Sequence, residues 1–301
     1  MTPSPLSKQI ERRIFIVGVP RSGTTLVQSL LAAHSELTSF TESHFFDRYF
    51  TLFPGATMPI LVRNPTSRVQ EFLGENDEDP TEAAGWLQDR WPLAVKPFLP
   101  LQTRSVGRKL LGVLDELALR RGQSGWVEKT PRHLRYIPFL KRLVDTTSST
   151  CSRVDFVHVI RKGLEVVASL HKASQHWERS YDVTTCVDRW NADVHFSLRR
   201  AGNLTDHFVF YEELTARPEE TLRQLLSQLG LEWEPEILQR QGDESQGLVT
   251  RDETWKAGID RSIRPSATSQ QSLTEEQRAR ALRSLRHEHY EELVERVLAQ
   301  G

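Results

Sequence analysis

The sequence predicts an α/β fold, with a central parallel sheet covered by helices on both faces in three layers. Three observations carry that expectation. Short apolar runs, Ile14–Val17 and Asp155–Ile160, alternate with segments whose leucines recur at helical spacing. Both runs break at a glycine-containing turn and restart as an amphipathic helix, the order of a βα unit. A chain of 301 residues with 38% hydrophobic content can bury such a sheet as a single domain, residues 1–301, and it carries no internal repeat or low-complexity tract.

The elements follow in order. Ile14–Val17 reads as a buried strand that breaks at Gly18. A helix starts near Thr24, with Leu26, Val27, Leu30 and Leu31 on its apolar face. Leu37–Phe40 is a short second strand. From Thr41 to about Val106 the pattern is irregular and rich in Phe, Trp and Pro, with Gly74–Pro80 an acidic surface turn. Arg108–Arg121 is a helix with Leu110, Leu111, Leu114 and Leu117 on one side. Trp126–Glu128 is a strand, and Pro131 opens the next helix. The strand to Ile160 leads into a helix from Gly163. A helical stretch around Val187–Arg200 precedes a strand at Phe208–Tyr211. The helix after Pro218 has leucines at 222, 225, 226 and 229 and ends at Gly230. Trp233–Pro265 is loop-like, and Thr274 with Gln277 forms a capping box for C-terminal helices.

The loop between the first strand and helix, GVPRSGTT at residues 18–25, carries the chemistry. A strand–loop–helix aims backbone N–H groups and a helix N-terminus at one point, which suits a phosphate. The glycine spacing is that of a P-loop, but Thr24 stands where a nucleotide triphosphatase carries its lysine. The cation, Arg21, lies inside the loop. The strand DFVHVI ends in Arg161, where a metal-holding aspartate would be expected in such an enzyme. The loop thus reads as a phosphate site without the usual metal apparatus, and no metal is expected.

The loop string resembles the 5′-phosphosulfate loop of sulfotransferases, which use 3′-phosphoadenosine 5′-phosphosulfate (PAPS) as sulfuryl donor. FVHVIRKGLEVVASL (156–170) is similar to the second signature of that family, WVEKTPRHL (126–134) to a third, and FVFYEELTARPEETLRQLLSQLGL (208–231) to a fourth. The match runs through most of the chain in order and is nearest the bacterial-type and tyrosylprotein-type branch. The resemblance implies the P-loop-like sulfotransferase fold. It implies that Arg21, Ser22, Gly23, Thr24 and Thr25 bind the 5′ end of PAPS, that Arg161 and Ser169 bind its 3′-phosphate, and that Tyr211 lies on the adenine side. Lys129 corresponds to a lysine that neutralises the leaving group, so Arg21 and Lys129 are expected to act in catalysis.

An acceptor hydroxyl must lose a proton, so a base is needed nearby. Glu42, in the string FTES just after the second strand, is the candidate, at the sheet edge where open α/β folds bind ligands. The tyrosylprotein branch has Gly-Glu-Glu-Thr here; Thr41 replaces the outer glutamate. The other reading of Glu42 is an ion pair with Arg21. His44, His133 and His158 are competing bases, and a surface lysine is the competing reading of Lys129. The segment 43–106, with Tyr49, Phe50, Phe53, Trp86 and Trp91, is either core or the lining of an acceptor pocket. Trp255–Arg264 is a basic loop that resembles the family's closing loop.

Composition bounds the rest. A net charge of −1 argues against a nucleic-acid binder with a basic surface. Cys151 and Cys186 have no metal-ligand spacing and read as structural thiols. No apolar run approaches the roughly 20 residues of a membrane span. The first dozen residues lack a signal-peptide core, so a cytoplasmic protein is expected. The expected partner is a hydroxyl-bearing acceptor, whether small molecule, lipid, glycan or peptide; oligomeric state is open. A small-molecule kinase of P-loop type and a non-catalytic nucleotide-binding protein are the alternative functions.

Overall fold

In the first strand, β1 (Arg12–Gly18), Ile14 and Ile16 pack into one core while Phe15 and Val17 pack into another. That alternation requires cover on both faces of the sheet. The computed structural model describes residues 9–53, 56, 58–78, 100–145, 153–177, 179–240, 263 and 269–299.

The remaining elements run α1 (Thr24–Ala32), β2 (Leu37–Ser39), α2 (Phe45–Tyr49), β3 (Phe50–Thr51), β4 (Ile60–Leu61), α3 (Thr66–Glu75) and α4 (Pro100–Arg120). Then come β5 (Gly125–Lys129), a 3-10 helix (Pro131–Tyr136), α5 (Ile137–Asp145), β6 (Arg153–Ile160), α6 (Gly163–Ser174) and α7 (Val183–Leu198). The chain continues with β7 (Asp206–Phe210), α8 (Tyr211–Ala216), α9 (Pro218–Leu229), α10 (Glu275–Ser284) and α11 (His287–Leu298).

The main sheet has five parallel strands in the order β2-β5-β1-β6-β7. One face is covered by α1 and α9, whose Val27, Leu30, Leu225 and Leu229 join Ile14, Ile16 and Val157 in one core. The other face carries α4 and α5 over Phe15 and Phe156. A third cluster gathers α6, α7 and the C-terminal helices around Trp190. The three-layer α/β/α arrangement expected from the sequence is therefore the observed one.

Most element boundaries agree, for the expected reasons. The capping box at Thr274 is formed in full, and Gly230 ends α9 with φ 68°, a left-handed conformation suited to glycine. Where the structure differs, local periodicity is too short or too weak to read. The stretch expected to be irregular contains α2, the antiparallel pair β3–β4 and α3. Phe45, Phe46, Phe50 and Phe72 from it are buried core residues, whereas Phe53 is exposed. Helix α4 starts at Pro100, ahead of the expected Arg108. Strand β7 stops at Phe210, so Tyr211 opens α8 rather than ending the strand. The expected acidic turn begins with a brace: α3 runs to Glu75, and the buried Asn76 amide bonds Thr41 Oγ1 and the Phe72 carbonyl. Cys186 is a buried free thiol pushed up to about 12 by burial; Cys151 lies outside the described residues. Among the described residues, no helix is long and apolar enough to cross a membrane.

Candidate active site

All five strands are parallel, so their carboxyl ends share one edge, the edge where open α/β sheets bind ligands. A candidate residue follows each strand. Glu42 follows β2, Lys129 ends β5, the 18–25 loop follows β1, Arg161 follows β6 and Tyr211 follows β7.

The loop is shaped by three positive backbone angles. Gly18 has φ 143°, and a Cβ there would meet the Val159 carbonyl at 2.5 Å, so only glycine lets β1 leave the sheet beside β6. Arg21 is left-handed at φ 75° and Gly23 at φ 94°. Gly23 caps α1 with no side-chain hydrogen bond, which leaves the first N–H groups of the helix for another acceptor. The buried Ser22 Oγ has no hydrogen-bond partner among the described residues. An uncapped N-terminus beside an unsatisfied hydroxyl fits an anionic group such as a phosphate.

Residues far apart in sequence converge on this loop. Arg21 Nε donates to Ser169 Oγ at 3.2 Å, across 148 positions. Arg161 Nη1 donates to the Arg21 carbonyl at 3.3 Å. The Arg161 guanidinium lies 4.3 Å from the centroid of the Tyr211 ring, in cation–π geometry, and the Arg161 carbonyl accepts from Trp190 Nε1 at 3.0 Å. Arg161 is 6% exposed, a buried guanidinium held by aromatic and backbone contacts and lying 3.7 Å from Glu165. Tyr211 also covers Gly23. Five expected donor-site residues, Arg21, Gly23, Arg161, Ser169 and Tyr211, thus form one cluster. Thr24 and Thr25 begin α1 beside it.

Glu42 and Lys129 form a second cluster at the β2–β5 side. Lys129 Nζ bonds Glu42 Oε1, and the Lys129 side chain is only 2% exposed, so it is no surface lysine. Glu42 Oε2 lies 3.3 Å from His44 Nε2. Below this pair runs a buried polar network absent from the sequence reading. Glu128 Oε1 accepts from Ser43 Oγ at 2.8 Å and Thr130 Oγ1 at 2.5 Å, and Oε2 faces His133 Nδ1 at 3.0 Å. Burial alone would raise the Glu128 carboxyl, but the His133 imidazole and the hydrogen bonds from His133, Thr130 and Ser43 hold it below its ordinary range. Arg68 from α3 donates to the carbonyls of Glu42 and Ser43 at 2.6 and 2.9 Å and pairs with Glu75. The Glu42 loop is thereby clamped from two sides.

The competing histidines separate. His44 stands at the site. His133 is buried beneath it in the Glu128 network. His158 is buried between Ser197 Oγ, 3.0 Å away, and Asp206, 2.8 Å away, facing the protein interior. Trp255–Arg264 falls outside the described residues apart from Ile263, as do Trp86 and Trp91. The one sequence signal for the missed network is Glu128 itself, a carboxylate inside a strand next to Lys129.

Comparison with known proteins gives the family and the fold. Residues 13–235 match the sulfotransferase family. Protein-tyrosine sulfotransferase A of Caenorhabditis elegans is 22% identical over 230 residues, 75% of this chain and 51% of that protein. The Drosophila melanogaster protein-tyrosine sulfotransferase is 22% identical over 236 residues, 75% of this chain and 39% of that one. The chain spans about half or less of the length of these curated relatives. Among solved structures, the sulfotransferase domain of the Synechococcus PCC 7002 olefin synthase aligns with TM-score 0.55 at 17% identity, covering 93% of this chain and 96% of that one. The sulfotransferase domain from the curacin biosynthetic pathway aligns with TM-score 0.50 at 19% identity, covering 88% and 84%. A family model that matches residues 13–235, most of the chain, leads to one conclusion: this chain belongs to the sulfotransferase family.

Proposed function

We propose that the protein transfers a sulfuryl group from PAPS to an acceptor hydroxyl and releases adenosine 3′,5′-bisphosphate. The observation that carries the reading is the pair of clusters along one sheet edge. One, around Arg21, Arg161 and Ser169, offers cations and hydroxyls to phosphates. The other, Glu42 with Lys129, offers a base beside a buried cation.

In this reading Arg161 and Ser169 hold the 3′-phosphate, the feature that separates PAPS from ATP. Tyr211 lies beside the nucleotide. The N–H groups of Gly23, Thr24 and Thr25, with Ser22 and Arg21, hold the 5′ end. The acceptor oxygen attacks sulfur in line with the departing phosphate oxygen. The new O–S bond forms as the bridging S–O bond breaks, and the acceptor proton goes to Glu42. Lys129 and Arg21 stabilise the charge that grows on the leaving oxygen, a field fixed in advance by burial. The Lys129–Glu42 contact sets leaving-group cation and base side by side, so both steps can proceed together. The segment 43–106 is proposed to border the acceptor side.

The test is turnover of radiolabelled PAPS with a panel of hydroxyl acceptors: 4-nitrophenol, an aliphatic alcohol, an oligosaccharide and a tyrosyl peptide. Label moving to one acceptor class, dependent on Arg161 and Glu42, supports the reading. Bisphosphate binding with no transfer to any of them would favour the non-catalytic alternative.

A further inference from the structure

Arg161 stands one residue before Lys162, the N-cap of α6, and Ser169 lies about two turns into that helix. The start of α6 therefore sets where both side chains stand. Lys162 N–H donates to Glu212 Oε1 at 3.0 Å, so the second residue of α8 fixes the backbone next to Arg161. The other carboxylate oxygen, Glu212 Oε2, accepts from the Tyr290 hydroxyl of α11 at 3.3 Å. Burial, and then the facing Glu212 carboxylate, push the Tyr290 hydroxyl above its ordinary range, which keeps it a donor.

Tyr290 is itself held in place. Its ring stacks on Trp190, with centroids 6.4 Å apart, and meets Phe210 edge-on at 6.1 Å. Trp190 in turn donates to the Arg161 carbonyl. One side chain of α7 pins the turn between α10 and α11: Asn191 Nδ2 donates to the Ser284 carbonyl at 2.9 Å, and Asn191 Oδ1 accepts from Arg286 N–H at 2.8 Å. Leu285, in that turn, packs on Gly163 at the start of α6, where a Cβ would come within 2.7 Å of Leu285 Cδ2. The family match covers residues 13–235, so α10 and α11 lie beyond it.

We propose that the C-terminal pair α10–α11 completes the donor site, with Tyr290 and Glu212 as positioning residues that set Arg161 and Ser169 for the 3′-phosphate. The inference rests on Arg161 and Ser169 being the 3′-phosphate residues. Tyr290 orients one oxygen of Glu212, and the other oxygen holds Lys162 N–H. A guanidinium makes paired bonds to a phosphate only in the right plane, so a displaced start of α6 weakens the 3′-phosphate contacts. The 5′ end, held by the loop after β1, is left largely as it was. Charge alone predicts the opposite sign. Glu165 already lies 3.7 Å from Arg161, and a further carboxylate nearby repels a phosphate, so removing Glu212 would then tighten binding.

The test is calorimetric titration of the full chain with adenosine 3′,5′-bisphosphate and with adenosine 5′-phosphate, in the parent, Tyr290→Phe, Glu212→Gln and Glu212→Ala, with Tm measured for each. Glu212→Ala should weaken bisphosphate binding about tenfold or more and Tyr290→Phe about threefold to tenfold, while adenosine 5′-phosphate stays within about twofold in both. Glu212→Gln keeps an amide oxygen for Lys162 N–H and an amide N–H for the Tyr290 oxygen, so it should stay within about threefold of the parent. Tyr290→Phe keeps the ring packed on Trp190 and Phe210, and it carries the test where Glu212→Ala fails to fold. Bisphosphate binding within about twofold of the parent in Tyr290→Phe overturns the proposal. Equal loss of both nucleotides in step with Tm, the mark of general destabilisation, overturns it as well. So does tighter bisphosphate binding in Glu212→Ala. A parent that binds the bisphosphate no better than adenosine 5′-phosphate instead overturns the 3′-phosphate reading itself, so the two failures are distinct.

Discussion

The ring of Tyr211 lies directly over Gly23: a Cβ built on Gly23 would come within 2.4 Å of Tyr211 Cδ2 and 2.9 Å of Cε2. The first residue of α8, just after β7, therefore sets the shape of the loop after β1, although β6 lies between β1 and β7 in the sheet. The same ring carries the Arg161 guanidinium on its face, which ties the loop to the candidate 3′-phosphate residues.

Gly23→Ala is expected to fail on two grounds. A left-handed residue with a Cβ costs about 1–2 kcal/mol, and the clash with Tyr211 adds to that. Thermal unfolding should show a lower Tm, and binding of adenosine 3′,5′-bisphosphate should fall by at least tenfold. Replacing Tyr211 with Ala in the same chain should recover part of the Tm loss, because only the steric portion is relieved.

Ser169→Ala removes a hydroxyl that now accepts from Arg21. A hydrogen bond to a charged group contributes about 1.5–3 kcal/mol. Affinity for adenosine 3′,5′-bisphosphate should drop by roughly 10- to 100-fold, while affinity for adenosine 5′-phosphate, which lacks the second phosphate, stays within a few-fold. Parallel titrations with the two nucleotides read this difference.

Glu42→Gln keeps the shape of the side chain and removes the proposed base. The kcat for sulfuryl transfer should fall about 10²- to 10⁴-fold, with bisphosphate binding unchanged within a few-fold. Steady-state rates beside equilibrium binding separate a lost base from a damaged donor site.

Asp47 offers a pH test of stability. Burial would raise its carboxyl, yet the hydrogen bond and charge of His44, with His133 and Arg132, lower it from 3.8 to about 2. A depressed folded-state value stabilises the protein above the unfolded value near 4, and that stabilisation is lost as pH falls through about 2. Asp47→Asn should therefore be less stable than the parent by about 2 kcal/mol at pH 6, and the gap should close between pH 4 and pH 2. Urea unfolding across that range measures it.

Regular side-chain periodicity made the fold legible. The alternation of Ile14, Phe15, Ile16 and Val17 and the leucines of α9 mark elements that span the core, and glycines at 18, 23 and 230 mark where the chain must turn. The cluster of Arg21, Arg161 and Ser169 was legible because family motifs surround these residues. Around Glu42, Lys129 and His44 were legible, whereas Asp47 and Arg68 were not. Asp47 sits on a five-residue helix and Arg68 in a stretch of short elements, so neither belongs to a readable period. Asp47 bonds His44 three positions away, but other bonds around Glu42 cross 25 to 87 positions, such as Arg68 to the Ser43 carbonyl and Lys129 to Glu42, and no local pattern announces such pairings.

The central claim is that the strand-end crevice binds a nucleotide carrying both a 5′- and a 3′-phosphate. Calorimetric titration with adenosine 3′,5′-bisphosphate, beside Mg-ATP and adenosine 5′-phosphate, tests it most directly, in the parent protein and in Arg161→Ala. The account predicts micromolar binding of the bisphosphate alone, lost in the variant. Preferential binding of Mg-ATP, or bisphosphate binding unaffected by Arg161→Ala, would contradict it.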